Sequence, residues 1–89
     1  MATHCLKCLP QYFCEVKSGK KNFEVRLNDR NYQVGDILEL VEYRNGDNTY
    51  TGRVVYRQVM YILSNYDVAI KPKYVVMALS KVSKKRFPL

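Results

Sequence analysis

Hydrophobic and polar positions along this chain follow two different periods, and the change of period falls near Gly19. The short apolar segment 4–9 ends at Pro10 and is typical of a strand. Proline fits the first turn of a helix, and Phe13 and Val16 are spaced to share one buried face. Gly19 then predicts the end of this helix, because glycine adopts the left-handed cap conformation without a steric clash.

After the helix, the alternation of apolar and polar residues predicts a half-buried strand. Phe23, Val25 and Leu27 fall on one face, and Glu24 and Arg26 fall on the other. Because the free energy falls when apolar side chains leave water, we expect the first face to pack on the core.

Three more strands are predicted downstream, over residues 37–43, 53–63 and 74–82, and turn residues join the first two as a hairpin. Both faces of the second hairpin arm are apolar, which favours a closed or strongly curled sheet with Tyr61 and Tyr74 in the core. The total is about five strands and one short helix. This pattern predicts an α+β, mainly β fold, a small β-barrel.

Composition limits the classes of function. The chain has 89 residues and a net charge of +7, from 15 Lys and Arg against 8 Asp and Glu, so it is one small basic domain with a single core. It contains no run of 18 apolar residues, and its start lacks the features of a secretory signal. We therefore expect a cytoplasmic protein without a membrane partner, and we expect a monomer that needs no cofactor.

The cations are concentrated at the end of the chain. Four of them lie within six residues: Lys81, Lys84, Lys85 and Arg86. We predict a folded domain over residues 1–80 and a flexible basic tail over residues 81–89, because the tail has little apolar surface to order it. The tail could contact a polyanion such as nucleic acid, or it could be an ordinary solvated terminus.

Cys5, Cys8, Cys14 and His4 lie close together in the sequence and could be mistaken for a metal site. An odd number of cysteines predicts reduced thiols rather than a disulfide scaffold. In a strand, Cys5 and Cys8 point to opposite faces, so we expect no metal site there. Cys14 is expected to pack in the core as a small apolar residue.

A dense group of charged residues follows the predicted helix. In an extended strand, Glu24 and Arg26 are same-face neighbours about 6.5–7 Å apart, close enough to pair or to hold a third group between them. The alternative is a surface ion pair that contributes less than about 1 kcal/mol. Gly19, Lys21, Glu24 and Arg26 fit the pattern G-x-K-x-x-E-x-R, which resembles the signature of ASCH domains, a branch of the PUA superfamily of RNA-associated β-barrels.

The resemblance covers nearly all of residues 4–79 and is to the DUF3850 group of small ASCH-like proteins. It is carried by the segments 4–13, 23–38, 42–43, 50–53 and 74–77. It implies a PUA-like barrel with a cleft where the helix meets the first strands, lined by Lys21, Glu24 and Arg26.

The resemblance also implies a class of function, namely binding of RNA or of a modified nucleoside. Some bacterial ASCH proteins hydrolyse the acyl amide of N4-acetylcytidine with the motif lysine, a neighbouring threonine and a separate glutamate. Lys21 occupies the lysine position, but Glu24 stands at the threonine position, and Asp67 is the one acidic residue in the segment that supplies the glutamate. Binding is therefore favoured over catalysis.

We predict a small RNA- or nucleotide-binding module. Its candidate binding residues are Lys7, Tyr12, Lys20, Lys21, Glu24, Arg26 and Arg30, with tail contacts from Lys81, Lys84, Lys85 and Arg86. The alternative is a small hydrolase, similar to an N4-acetylcytidine amidohydrolase or a ribonuclease. Lys21 and Glu24 would then be catalytic, and His4 would act as acid or base if the first strand brings it to the cleft. Docking of a protein partner in the cleft or on a strand edge is a third possibility.

Two further groups of residues could extend a nucleic-acid surface. Exposed tyrosines could stack on unpaired bases, and the candidates are Tyr12, Tyr32 and Tyr50. Additional cations could track phosphates, and these are Arg30, Arg53, Arg57, Lys71 and Lys73. Scattered surface cations are also ordinary in a basic protein.

Overall fold

Five strands and one helix form the described part of the chain, which is residues 1–64 and 69–82 of the computed structural model. The elements are β1 (Thr3–Cys8), α1 (Pro10–Ser18), β2 (Phe23–Leu27), β3 (Ile37–Arg44), β4 (Thr49–Ser64) and β5 (Tyr74–Lys81). This confirms the predicted α+β, mainly β fold class. β5 includes Lys81, one residue beyond the predicted domain boundary, and the predictions for Asp67, Lys84, Lys85 and Arg86 lie outside the described residues.

All five strands belong to one sheet in the order β1-β3-β4-β5-β2. β1 and β3 are parallel, and the other neighbouring pairs are antiparallel. The sheet curls into a half-barrel, so that its two edge strands approach each other. Arg26 donates from Nη2 to the Lys7 carbonyl at 2.6 Å, and Arg30 donates from Nη1 to the Cys5 carbonyl at 3.0 Å. We call this line between β1 and β2, spanned by the two arginines, the seam.

The helix begins and ends where the local sequence predicts. Pro10 occupies its first turn, and the Leu9 carbonyl accepts a hydrogen bond from the Phe13 N–H at 2.8 Å. Gly19 has φ 90° and donates its N–H to the Val16 carbonyl at 3.1 Å, which closes the last turn. Phe13 and Val16 are fully buried, as predicted, so α1 covers the inner face of the sheet.

The faces of β2 are reversed relative to the prediction. Its three apolar side chains are 42–51% exposed: Phe23, Val25 and Leu27. Glu24 is buried instead, because Glu24 lies opposite Met77 and Arg26 lies opposite Val75, two buried residues of β5. The expectation that the apolar face of this strand packs on the core is therefore wrong. The cations around Glu24 supply the bonds that a buried carboxylate requires.

A β-bulge in β4 changes which side chains face inward. The pairing with β5 shifts between Val59 and Tyr61, so Met60 is an extra residue and the alternation of faces reverses there. Val59 is fully buried, whereas Tyr61 is 63% exposed and Ile62 turns toward the core. The prediction of Tyr61 in the core is wrong for this reason. Tyr74 is also exposed, on the outer face at the start of β5.

Two other burial predictions are wrong. Cys14 is exposed, because the buried stripe of α1 passes through Phe13 and Val16, and the next residue after Phe13 is rotated by about 100°. Tyr32 is buried rather than exposed, and its ring packs edge-on against the His4 ring with 4.8 Å between centroids. Tyr32 is therefore part of the core.

Membrane insertion and metal binding are two properties considered above. Within residues 1–64 and 69–82, no helix has both the length and the apolar character that a membrane crossing requires. Over the same residues, no group of three or more His, Cys, Asp and Glu side chains could hold a metal ion. Cys5 is exposed and Cys8 is buried, so the two thiols lie on opposite faces of β1.

Candidate ligand-binding cleft

A cleft of about 710 Å³ opens where α1, the end of β1 and β2 meet. Its size falls within the range of roughly 300–1,000 Å³ that is usual for small-molecule sites. The structure brings six of the seven predicted binding residues to this cleft: Lys7, Tyr12, Lys20, Lys21, Glu24 and Arg26. The cleft lies where the family resemblance implies one.

The turn after the helix positions the two lysines of the motif. Gly19 ends α1 in the left-handed conformation, and the N–H of Lys21 then donates to the Glu15 carbonyl at 2.9 Å. The chain thus folds back over the end of the helix before β2 begins. Lys20 and Lys21 are consequently placed on the lining of the cleft rather than along the helix.

A buried carboxylate lies at the bottom of the cleft. Glu24 accepts a hydrogen bond at Oε1 from Lys21 Nζ at 3.2 Å and one at Oε2 from Arg26 Nε at 2.7 Å. Lys21 Nζ also donates to the Phe23 carbonyl at 2.9 Å. The predicted pairing of Glu24 with Arg26 is confirmed. Glu24 is buried and Arg26 is partly buried, so the pair is more shielded from solvent than a surface ion pair.

Two aromatic side chains near Lys21 line the cleft. Its Nζ lies 5.7 Å from the centroid of the Tyr12 ring and 5.0 Å from that of the Phe23 ring, within the range of cation–π attraction. Tyr12 and Phe23 are nearly half exposed. A planar ligand that enters the cleft therefore meets aromatic surface.

The free edge of β2 contributes backbone groups to the same cleft. The Asn22 carbonyl accepts from the Leu79 N–H, and the Asn28 N–H donates to the Lys73 carbonyl, so the backbone groups of the even-numbered residues face β5. In an antiparallel pair, the residues between them direct their N–H and C=O groups to the opposite edge. Val25 is one of these residues and lines the cleft.

The sequence pattern did not reveal five of the residues that line the cleft: Cys8, Leu9, Glu15, Phe23 and Val25. Phe23 and Val25 were missed because their alternation assigns them to the core. Burial in the first place, and then the Glu24 carboxylate, raise the pKa of the Cys8 thiol. Cys8 is therefore a neutral thiol at neutral pH and contributes packing rather than nucleophilic chemistry.

His4 is placed away from the cleft. It lies toward the start of β1, where its Nε2 is 2.8 Å from Oδ2 of the buried Asp36. Burial alone would raise the pKa of Asp36, but hydrogen bonds from the Ala2 N–H, from His4 and from the Gln33 N–H lower it overall. His4 thus ties the start of β1 to Asp36. The first strand does not bring His4 to the cleft, so His4 cannot act there as acid or base.

The additional cations are mostly engaged within the fold. Arg57 donates to the Val16 carbonyl at 2.9 Å at the end of α1, and its burial lowers its pKa. Arg53 donates to both oxygens of Glu42 and lies over the Phe13 ring, 4.8 Å from its centroid. Arg30 donates to the Cys5 carbonyl across the seam, and it lines the neighbouring pocket rather than the cleft.

The chain matches a known protein family over most of its length. The model of a family described as "Domain of unknown function (DUF3850)" matches residues 3–79. The chain belongs to the DUF3850 family. Both strands of the seam and all of the cleft residues lie within the matched range, so the cleft is part of the DUF3850 domain itself.

A relative is found in a bacterial virus. An "Uncharacterized 12.9 kDa protein in GpA 3'region" of Escherichia phage P2 is 46% identical over 52 residues. The alignment covers 58% of this chain and 46% of the phage protein. The chain thus matches somewhat less than half the length of this relative.

Proposed function

We propose that this DUF3850 domain is a binding module for RNA or a nucleotide-like ligand, and that the cleft is its binding site. One observation carries the proposal, namely that the buried Glu24 carboxylate is paired with Lys21, whose Nζ lies near the exposed aromatic rings of Tyr12 and Phe23. A carboxylate has about four acceptor positions, and the bonds from Lys21 and Arg26 use two of them. A nucleobase supplies both N–H donors and a planar face for stacking.

The charge of the cleft supports a ligand that carries phosphate. Four cationic side chains line it, against two carboxylates: Lys7, Lys20, Lys21 and Arg26 against Glu15 and Glu24. A lysine offers a point charge, and an arginine offers several N–H donors in one plane. The cleft can therefore supply both an ionic contact and a multidentate hydrogen-bonded contact to a phosphate. The resemblance to ASCH and PUA domains points to the same ligand class. We propose in addition that the protein acts as a monomer in the cytoplasm, where RNA and nucleotides are available.

The test is a titration of fluorescently labelled single-stranded and hairpin RNAs, read by anisotropy at two salt concentrations. Tyr12→Ala and the double variant Lys21→Ala with Arg26→Ala are expected to weaken binding by about tenfold or more, because each removes a stacking or charge-assisted contact. Tyr61→Ala and Lys17→Ala are the matched controls, since they remove an exposed aromatic group and an exposed cation that do not line the cleft.

A chain that ends at Lys81, the last residue of β5, separates the cleft from the rest of the tail. If only this truncation weakens binding, or if no RNA binds at low salt, the cleft is not an RNA site. The same samples then test the hydrolase alternative with N4-acetylcytidine, for which Lys21→Ala must abolish turnover while circular dichroism shows a folded protein.

A further inference from the structure

A second pocket of about 410 Å³ lies directly beside the cleft. Lys7 and Arg26 line both cavities, so the two are adjacent. Arg30 and Tyr50 line the second pocket on its far side. We call the cleft and the second pocket together the groove.

Two arginines of the groove are bonded to carbonyl groups of β1. Arg26 is seated on the Lys7 carbonyl and Arg30 on the Cys5 carbonyl, two residues apart on β1. This separation is about 6.6 Å along a strand, comparable to one nucleotide step of an extended single strand. A guanidinium has five N–H donors, so each arginine can hold a strand carbonyl and a phosphate at the same time.

Tyr50 gives the second pocket an aromatic platform. Its side chain is 59% exposed, yet its ring is held edge-on against the Tyr43 ring, with 4.9 Å between centroids. Lys7 Nζ lies 4.4 Å from the centroid of the same Tyr43 ring. The Tyr50 ring and the Lys7 ammonium group thus contact the same Tyr43 ring. A pre-positioned aromatic ring stacks on an unpaired base with little loss of side-chain entropy.

We propose that the groove binds single-stranded RNA across at least two nucleotides. One base lies in the cleft, the neighbouring base stacks on Tyr50, and the phosphate between them contacts Lys7 and Arg26. This inference rests on the proposed function and narrows it from any nucleotide-like ligand to a strand. A duplex does not fit, because its bases are already paired and stacked and cannot enter two separate cavities.

Ligand length and one substitution test the proposal. Calorimetric titrations use uridine 5′-monophosphate, the dinucleotide UpU and the tetranucleotide UpUpUpU, with the adenosine series in parallel. We expect the dinucleotide to bind about tenfold more tightly than the mononucleotide, as one added stacking contact predicts. Tyr50→Ala should remove this gain and leave the mononucleotide affinity unchanged. Tyr61→Ala, another exposed tyrosine that lies outside the groove, should change neither.

The outcomes separate this inference from the function on which it rests. If the mononucleotide binds in a Tyr12-dependent way, but neither length nor Tyr50→Ala matters, the cleft is a nucleotide site and the two-nucleotide groove is wrong. If none of the probes binds the wild-type chain, both proposals are wrong. The comparison of ligand lengths uses unaltered protein, so it stands whether or not a variant folds.

Discussion

Among single residues, Glu24 links the folding of β2 to the chemistry of the cleft. It is only 5% exposed, and its two oxygens accept bonds from Lys21 and Arg26. An unpaired buried charge is costly, so the carboxylate and the two cations stabilise each other's positions. The same three side chains face the space that a ligand would occupy, so their arrangement exists before a ligand arrives.

We predict that Glu24→Gln destabilises the protein by about 1–3 kcal/mol, because the amide leaves two cations without their counter-charge. The free energy of unfolding is measured by urea denaturation with far-ultraviolet circular dichroism. Glu15→Gln is the control, since Glu15 lines the same cleft with an exposed side chain. Equal urea midpoints for the two variants would show that the buried pair contributes nothing to stability.

Asp36 is one residue that makes the stability depend on pH. Although burial opposes its ionisation, hydrogen bonds from the Ala2 N–H, from His4 and from the Gln33 N–H lower its pKa in the folded protein. A native pKa below the unfolded value contributes stability above the unfolded value, about 3.9, and this is lost as the pH falls toward the native pKa.

We therefore predict that the free energy of unfolding decreases when the pH is lowered from about 5 through 3.9, and that Asp36→Asn reduces this slope. Some slope remains, because hydrogen bonds from Arg53 and Thr51 also lower the pKa of Glu42. Asp29→Asn removes an exposed carboxylate and serves as the control. A slope that is identical in wild type and Asp36→Asn would contradict the assignment.

At the level of elements, α1 shows the strongest dependence on local sequence. Its end is set by Gly19, whose φ of 90° is a conformation that other residues adopt only with strain. The last turn must close there, because the chain then reverses to place Lys21 over the helix end.

We predict that Gly19→Ala lowers the free energy of unfolding by about 1–2 kcal/mol, measured by thermal and urea denaturation. Gly46→Ala is a matched control, since Gly46 lies in the turn between β3 and β4 without a positive φ and with open space around its Cα. That variant should be nearly neutral. Equal destabilisation by both substitutions would mean that the loss of glycine, rather than the left-handed cap, is responsible.

The helix and the strand count could be predicted because their signals are local, as Pro10, Gly19 and the spacing of Phe13 and Val16 show. The orientation of β2 could not. An alternating strand defines two faces, but which face is buried depends on the neighbours that the sheet supplies, here Met77 and Val75. The exposure of Tyr61 depends likewise on a bulge that exists only in the pairing with β5.

The charged part of the candidate cleft could be predicted from its motif, whereas its apolar part could not. Lys21, Glu24 and Arg26 are close in sequence and fit a recognisable pattern. Phe23 and Val25 have the alternation of core residues, so their position in the cleft follows only from the curvature of the sheet. Tyr50 could not be linked to the motif either, because it comes from β4 and has no local pattern that connects it to the motif.

At the scale of the whole molecule, the net charge of +7 acts on folding and on binding in opposite directions. Like charges on one small domain repel each other and destabilise the compact state, while the same charges attract a polyanion. Dissolved salt screens both effects.

We predict that raising the NaCl concentration increases the melting temperature of the protein and weakens its affinity for RNA. Differential scanning calorimetry and anisotropy titrations on the same samples measure the two effects, and a parallel series in KCl controls for binding of a particular cation. A melting temperature that falls with salt would mean that attractive ion pairs such as Lys21–Glu24 outweigh the general repulsion.

The seam between β1 and β2 also affects how copies of the protein meet in a crowded solution. A sheet edge with accessible carbonyl groups is a template on which a strand of another molecule can add, and this is a route to aggregation. Arg26 and Arg30 occupy the carbonyls of Lys7 and Cys5, which such a strand would need as acceptors, and they place positive charge along that edge. The two arginines proposed to contact a ligand thereby also protect the edge of β1 against strand addition.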